Sequence, residues 1–183
     1  MKNKKPIYFI TGNQSKVLEA EGILGIPIRI QKLDLQEIQD LEVEVIARVK
    51  AEEAFKVIKE PLFVDDTSLI IEAWDKFPGP FIKYIMVSGG PELLLRMMSS
   101  EKNRRAVAKI TIAYHDGKRV HLFTNSKKGS IANSPKGRHG FDWDRIFIPK
   151  PFNKTYAQMS LAEKNRISHR KLALLRLKKF LED

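Results

Sequence analysis

Two periods of apolar residues alternate along this chain. Pro6-Ile7-Tyr8-Phe9-Ile10 is a short apolar run of strand type, closed by Thr11-Gly12-Asn13. Gln14 to Leu24 predicts a helix, with Val17, Leu18, Glu21 and Leu24 near one stripe and Gly25 as its stop. Ile26, Ile28 and Ile30 then alternate with Pro27, Arg29 and Gln31, which predicts an edge strand, since proline cannot donate to a ladder. From 45 to 59, Ala47, Ala51, Ala54, Phe55 and Ile58 share one helical face, opposite Arg48, Glu52, Lys56 and Lys59. Pro61-Leu62-Phe63-Val64 reads as a buried strand that ends in Asp65-Asp66-Thr67.

Pro78-Gly79-Pro80 marks a tight turn, and 91–98 is a helix candidate. Ala106, Ala108, Ile110, Ile112 and Tyr114 alternate with Val107, Lys109, Thr111 and Ala113; Asp116-Gly117 then turns the chain into a second strand over 120–124, making a hairpin. A loop over 129–140 leads to Phe141-Asp142-Trp143-Asp144. Ser160-Leu161-Ala162-Glu163 is a capping box that opens the last helical region. Strands and helices mix without repeats or a low-complexity linker. The expected fold is α/β, with a mixed central sheet flanked by helices and hairpin insertions forming a smaller second lobe, all within one domain over 1–183.

The chain has 183 residues, 43% of them hydrophobic and 30% charged, which fits a soluble globular protein with a sizeable core. It has no cysteine, which excludes disulfides and thiolate metal sites. The apolar run after the basic start stops at Ile10, too short for a secretory signal, and nothing approaches a membrane span, so a cytoplasmic protein is expected. Charge changes the picture more. Residues 1–100 carry 13 Lys and Arg against 15 Asp and Glu; residues 101–183 carry 20 against 7. An acidic-leaning front and a basic back suit a polyanionic ligand that brings a metal ion, either nucleic acid or a nucleoside triphosphate.

Several segments have the chemistry for such a ligand. Thr11-Gly12-Asn13-Gln14-Ser15-Lys16 sits at a strand-to-helix junction, where helix N–H groups and Lys16 favour phosphate; the plain alternative is a helix cap with an exposed lysine. Asp65-Asp66 follows an apolar strand directly, and two carboxylates there need a cation or donors. Hard oxygens suit Mg²⁺, and one carboxylate could serve as general base; capping of the following turn is the alternative. Glu37 is a possible third carboxylate that pattern alone does not separate from a surface residue. Phe141 and Trp143 flank Asp142 in a loop, either to stack on a base or to form a satellite core. The run from Glu163 to Arg170 concentrates cations ahead of Leu172-Ala173-Leu174-Leu175, placing Lys164 and Ser168-His169-Arg170 at a helix N-terminus that favours anions. His115 and His121 fit turn and strand positions, and no histidine pair has zinc-ligand spacing.

Taken in order, these segments resemble the inosine triphosphate pyrophosphatase family, whose members hydrolyse damaged purine nucleoside triphosphates. The resemblance covers nearly the whole chain. It runs from Phe9-Ile10-Thr11-Gly12-Asn13 with Lys16 through Asp65-Asp66-Thr67-Ser68-Leu69 and Phe77-Pro78-Gly79-Pro80, then through Gly137-Arg138-His139-Gly140-Phe141 and Asp144 to Glu163-Lys164-Asn165 and Ser168-His169-Arg170. It implies an active-site cleft between sheet and smaller lobe, a homodimer, and Mg²⁺-dependent cleavage of ITP, dITP and XTP between the α and β phosphates. By position, Thr11, Gly12, Asn13 and Lys16 would cradle the triphosphate, with Lys50, Thr67 and Lys83 along the phosphates. Glu37 and Asp66 would hold Mg²⁺, Asp66 also serving as the base. Phe141 would stack on the purine with Asp142, Trp143 and Asp144 beside it; Lys164 would contact the nucleotide, and His169 and Arg170 would face the 6-position. A nucleic-acid-binding protein is the competing class, but no RNA-recognition, KH or helix-turn-helix signature is visible.

Two positions depart from the family loop, which reads Phe-Gly-(Tyr or Trp)-Asp-Pro. Asp142 replaces the glycine and Arg145 the proline. A carboxylate at 142 could accept from a base amino group and so admit GTP. Asp142→Gly is therefore expected to shift the ITP-to-GTP ratio of pyrophosphate release toward ITP; an unchanged ratio would show that Asp142 does not touch selectivity.

Overall fold

The computed structural model describes residues 6–140 and 142–183. In chain order its main elements are β1 (Ile7–Ile10), α1 (Gln14–Leu24), β2 (Ile28–Gln31), α2 (Val43–Ile58), β3 (Leu62–Ile71), β4 (Pro78–Gly79), α3 (Ile82–Met97), β5 (Arg105–His115), β6 (Val120–Ile131), β7 (Phe147–Pro149), α4 (Leu161–Ile167) and α5 (His169–Glu182). The described strands form a seven-stranded sheet of order β2-β1-β3-β5-β6-β7, with β4 paired to β3. It is mixed: β1 pairs β2 and β3 in parallel, whereas β3–β4 and β6–β7 are antiparallel. The α/β class expected from the alternating periods is the one observed. Backbone proximity divides the chain into one compact unit of residues 1–66, 110–125 and 170–183, and another of 67–109 and 126–169.

The first unit is built by the two-residue period of its strands. Ile7 and Phe9 of β1, Phe63 of β3 and Ile110, Ile112 and Tyr114 of β5 pack with Val17, Ala20 and Leu24 of α1 and Ala173, Leu174 and Leu177 of α5. The alternate residues, Ile10, Leu62, Val64 and Ala113, pack with Ala47, Ala51 and Ala54 of α2. Thus α1 and α5 cover one face and α2 the other, and the small alanine stripe lets α2 lie close to the strands. β2 is the edge strand, as Pro27 requires, and Gly25 ends α1 with φ +65°. The expected hairpin forms at Asp116-Gly117, where Asp116 accepts from the N–H groups of Lys118 and Arg119. His115 stacks on Phe55 with centroids 3.7 Å apart and His121 pairs with Asp116 at 2.7 Å, so both serve the fold.

The second unit packs Leu69, Ile71, Leu94, Met98, Ile131, Trp143, Ile146, Phe147 and Tyr156 into one core. Several sequence expectations need correction here. The strand at 61–64 does not end at Asp65-Asp66-Thr67 but continues to Ile71, where Leu69 and Ile70 pair with β4. Its polar middle masks the strand in the pattern, although ladder bonds do not depend on side-chain polarity. The loop expected from 129 begins later, because β6 runs to Ile131 and its end pairs with β7. The helix expected over 91–98 is the second half of α3, which kinks at Gly89 and Gly90 and starts already at Ile82.

Leu69 is fully buried in this core. Leu69→Ala is expected to lower the unfolding free energy by about 2 to 5 kcal/mol in a urea titration, with an unchanged m value.

Candidate active site

The strand period that builds the first unit also sorts its charges. On β3, Phe63 faces α1 and α5 while Val64 faces α2. Continuing the alternation turns Asp65 toward α1 and α5, and Asp66 toward α2. Ion pairs follow this division. Lys16 in the first turn of α1 lies 2.8 Å from Asp65 Oδ1, and Arg170 at the start of α5 lies 3.3 Å from Asp65 Oδ2. Lys50 of α2 lies 3.3 Å from Asp66 Oδ2 and 2.9 Å from Glu37 Oε1. Each cation reaches the sheet because it extends its helix's buried stripe: Lys16 precedes Ala20 by four residues, Lys50 falls between Ala47 and Ala54, and Arg170 precedes Ala173 and Leu174.

The strand-to-helix junction closes as a cap. The Thr11 hydroxyl accepts from the Asn13 N–H at 3.1 Å, and the Asn13 side chain accepts from the Lys16 N–H at 3.4 Å. The nearest atoms to a Cβ on Gly12 would be those of the Lys32 side chain, at 3.5 Å or more, so packing among the described residues does not demand glycine there.

The two carboxyls titrate in opposite senses. Burial alone would raise Asp65, but the charges of Lys16 and Arg170 outweigh it and hold the carboxyl at about 2, below its ordinary 3.8. Burial pushes Asp66 up; Lys50 opposes the rise and the neighbouring Asp65 charge adds to it. Burial likewise would lower Lys50, but Asp66 and Glu37 reverse the effect and keep it charged. Asp65 Oδ2 and Asp66 Oδ2 are both shielded from solvent and make no hydrogen bond among the described residues; each faces a cation at 3.3 Å. Glu37 and Asp66 are thus hard oxygen donors that already converge on a positive charge, which fits Mg²⁺. Asp65, with a cation at each oxygen, does not fit that role.

In the second unit, His169 lies beside two aromatic rings. Its ring stacks with Trp143 (centroids 5.9 Å apart) and with Tyr156 (6.3 Å). Asp144 pairs with Lys164, whose ammonium also lies 5.3 Å from the Tyr156 ring centroid. Burial, reinforced by Asp144, pushes the Tyr156 hydroxyl well up, so it stays protonated. Gly137 and Gly140 have φ of +91° and +79°; a Cβ would overlap the Ala157 backbone at the first and the Asp144 carboxylate at the second. Only glycine lets this loop lie so close.

Not every expected site residue falls where the sequence suggests. Trp143 is 6% exposed and belongs to the core, so it is not a free stacking surface for nucleic acid. Lys164 and His169 do not share one helix N-terminus. α4 ends at Ile167, Ser168 caps it, and α5 starts at His169, so Lys164 is in the last turn of α4. Lys83 is exposed in the first turn of α3, and Thr67 is half-buried on β3. Phe141 and the side chain of Asp142 lie outside the described residues. The sequence reading missed Glu19, 3.8 Å from Arg170, and Tyr156. Glu19 sits beside Ala20 on the buried stripe of α1, which is a signal for a paired charge; no pattern marks Tyr156.

The titration senses predict stability. A carboxyl lowered by folding contributes stability that is complete above its ordinary value and is lost as the pH falls through about 2. A raised carboxyl has the opposite sign: ionised Asp66 costs stability at neutral pH, and acid relieves that cost. At pH 7, Asp65→Asn is expected to lose about 2 kcal/mol, whereas Asp66→Asn is expected to be at least as stable as the parent. Urea titrations of both variants check this, and an Asp65→Asn protein as stable as the parent would refute the pairing.

Comparison with known proteins shows the family of the chain. The Ham1 family model matches residues 7–180. The dITP/XTP pyrophosphatase of Thermococcus kodakarensis is 39% identical over 178 residues, covering 96% of each chain. The inosine triphosphate pyrophosphatase of Schizosaccharomyces pombe is 39% identical over 180 residues, 96% of this chain and 95% of that one. Among solved structures, a HAM1 protein from Coxiella burnetii matches with a TM-score of 0.86 at 28% identity, over 98% of this chain and 99% of that one. Matched from its first strand to its last helix, the chain belongs to the Ham1 family.

Proposed function

We propose that this chain hydrolyses non-standard purine nucleoside triphosphates, ITP, dITP and XTP, to the monophosphate and pyrophosphate. The observation that supports it most directly is the division of charge on β3. One carboxylate is committed to cations, and its neighbour is half-buried, raised in pKa and aimed with Glu37 at a cation position. Full-length similarity to proteins named as such pyrophosphatases supports the same reading.

Thr11, Gly12, Asn13 and Lys16 bind the triphosphate through the α1 N-terminus and the lysine charge, with Lys50, Thr67 and Lys83 along the phosphates. Glu37 and Asp66 would hold Mg²⁺, which neutralises phosphate charge when bound. The raised Asp66 carboxyl is suited to take the proton of the attacking water. The water oxygen bonds the α phosphorus, the α–β bridging P–O bond breaks, and pyrophosphate leaves. Phe141 stacks on the base, Asp142, Trp143 and Asp144 lie beside it, and Lys164 contacts the nucleotide. His169 and Arg170 donate to a 6-oxo purine; adenine presents a donor there, a mismatch that can reach ~10⁴-fold. Guanine keeps the 6-oxo group, so Asp142 leaves a second reading, the same chemistry with GTP admitted.

The enzyme acts in this reading as a homodimer in the cytoplasm, one domain of two lobes. Among the described residues no helix is long and apolar enough to cross a membrane. Pyrophosphate release with Mg²⁺ from ITP, XTP, dITP, GTP and ATP tests it. Strong release from the first three is expected, weak release from ATP, and loss of about 10³-fold or more in Asp66→Asn. No release from any nucleotide would refute it.

A further inference from the structure

Asp65 gathers cations from two helices. Lys16 Nζ lies 2.8 Å from Oδ1 and Arg170 Nη2 lies 3.3 Å from Oδ2. Its side chain is 5% exposed, while those of Lys16 and Arg170 keep 18% and 10%. Glu19, one turn after Lys16 on α1, lies 3.8 Å from Arg170 Nη1. The result is a chain of alternating charge, Lys16–Asp65–Arg170–Glu19, on one face of the sheet. We infer that Asp65 is a positioning residue that fixes the phosphate-binding Lys16 and the base-reading Arg170 on a single carboxylate, so that the two ends of the substrate are read from one anchored charge. The inference deepens the pyrophosphatase reading and rests on it.

Lysine and arginine side chains each carry several rotatable bonds, so a recognition geometry built from them is sharp only when something holds them. Asp65 can do so because its strand position is fixed and because both oxygens are engaged. A phosphate oxygen that takes a hydrogen bond from Lys16 competes with Oδ1. More of the carboxylate charge is then left to Arg170, which is held most firmly once the triphosphate is seated. Asp66 points to the opposite face, where its ion pair is with Lys50.

Steady-state kinetics with ITP and ATP on the parent, Asp65→Asn and Asp65→Glu, below the melting temperature of each, tests the assignment. Asp65→Asn is expected to raise KM for ITP and to lower the ITP-over-ATP ratio of kcat/KM, each by ~10-fold or more. The Mg²⁺ concentration giving half-maximal rate should stay unchanged. Asp65→Glu, which keeps the charge but alters its reach, should fall between the parent and Asp65→Asn, with KM and the ratio displaced from the parent by about 2-fold or more. An active parent with an unchanged ratio in Asp65→Asn would overturn the inference, as would a change confined to the Mg²⁺ requirement. If Asp65→Asn does not fold, Asp65→Glu decides. Its altered reach should move KM and the ratio together by about 2-fold or more, and movement of neither or of only one overturns the proposal. An inactive parent instead refutes the pyrophosphatase reading itself.

Discussion

The pleat of β3 is the constraint on which the charge arrangement of the first unit depends. Successive residues of a strand point to opposite faces, so two adjacent aspartates cannot share an environment. Asp65 is delivered to α1 and α5, and Asp66 to α2. Identical side chains thereby acquire opposite titration behaviour, one held near 2 by two cations and the other raised by burial. A shift of register by one residue would exchange the two roles and turn the core residues on either side out of their clusters. The hydrophobic alternation from Leu62 to Val64 therefore fixes the placement of the two charges as well as the fold.

The second unit obtains its precision differently, through contact. His169 has the rings of Trp143 and Tyr156 stacked with its own, which limits its orientation. The loop that carries Asp144's neighbours lies close because Gly137 and Gly140 have no Cβ to fend off the backbone and the carboxylate they touch. Charge pairing of Asp144 with Lys164 then ties that loop to α4. None of this has a sequence period, yet each contact depends on a particular residue type.

That difference explains what was legible in the sequence. α1, the edge strand after Pro27, the hairpin at Asp116-Gly117 and the capping box at Ser160 were readable because periodicity or turn chemistry is local. The continuation of β3 was not, since Asp65 to Ser68 interrupt the apolar run while backbone bonding goes on. Nor was the first half of α3 before its Gly89-Gly90 kink. Asp65, Asp66 and Lys16 could be named as candidates, but their division between two faces requires knowing that the strand does not stop at them. Trp143 illustrates the reverse case: an aromatic in a glycine-flanked loop suits a binding surface as well as a core, and only packing decides for the core.

The buried charge chain of the first unit argues about purpose as well as position. Ionic groups taken from water lose hydration that their mutual attraction regains only in part, and well-packed apolar residues of similar size often serve stability equally well or better. A fold selected for stability alone has little need of Glu19, Arg170, Asp65 and Lys16 together at the carboxyl end of a parallel strand pair. Such an end is where open α/β sheets present ligands. Asp65 stabilises the folded chain only because Lys16 and Arg170 are there; remove the need for those cations and the carboxylate becomes a cost. Its presence is therefore best understood from the ligand's side: in the proposed reading Lys16 and Arg170 both serve recognition, and one buried anion would hold them in place ahead of the substrate.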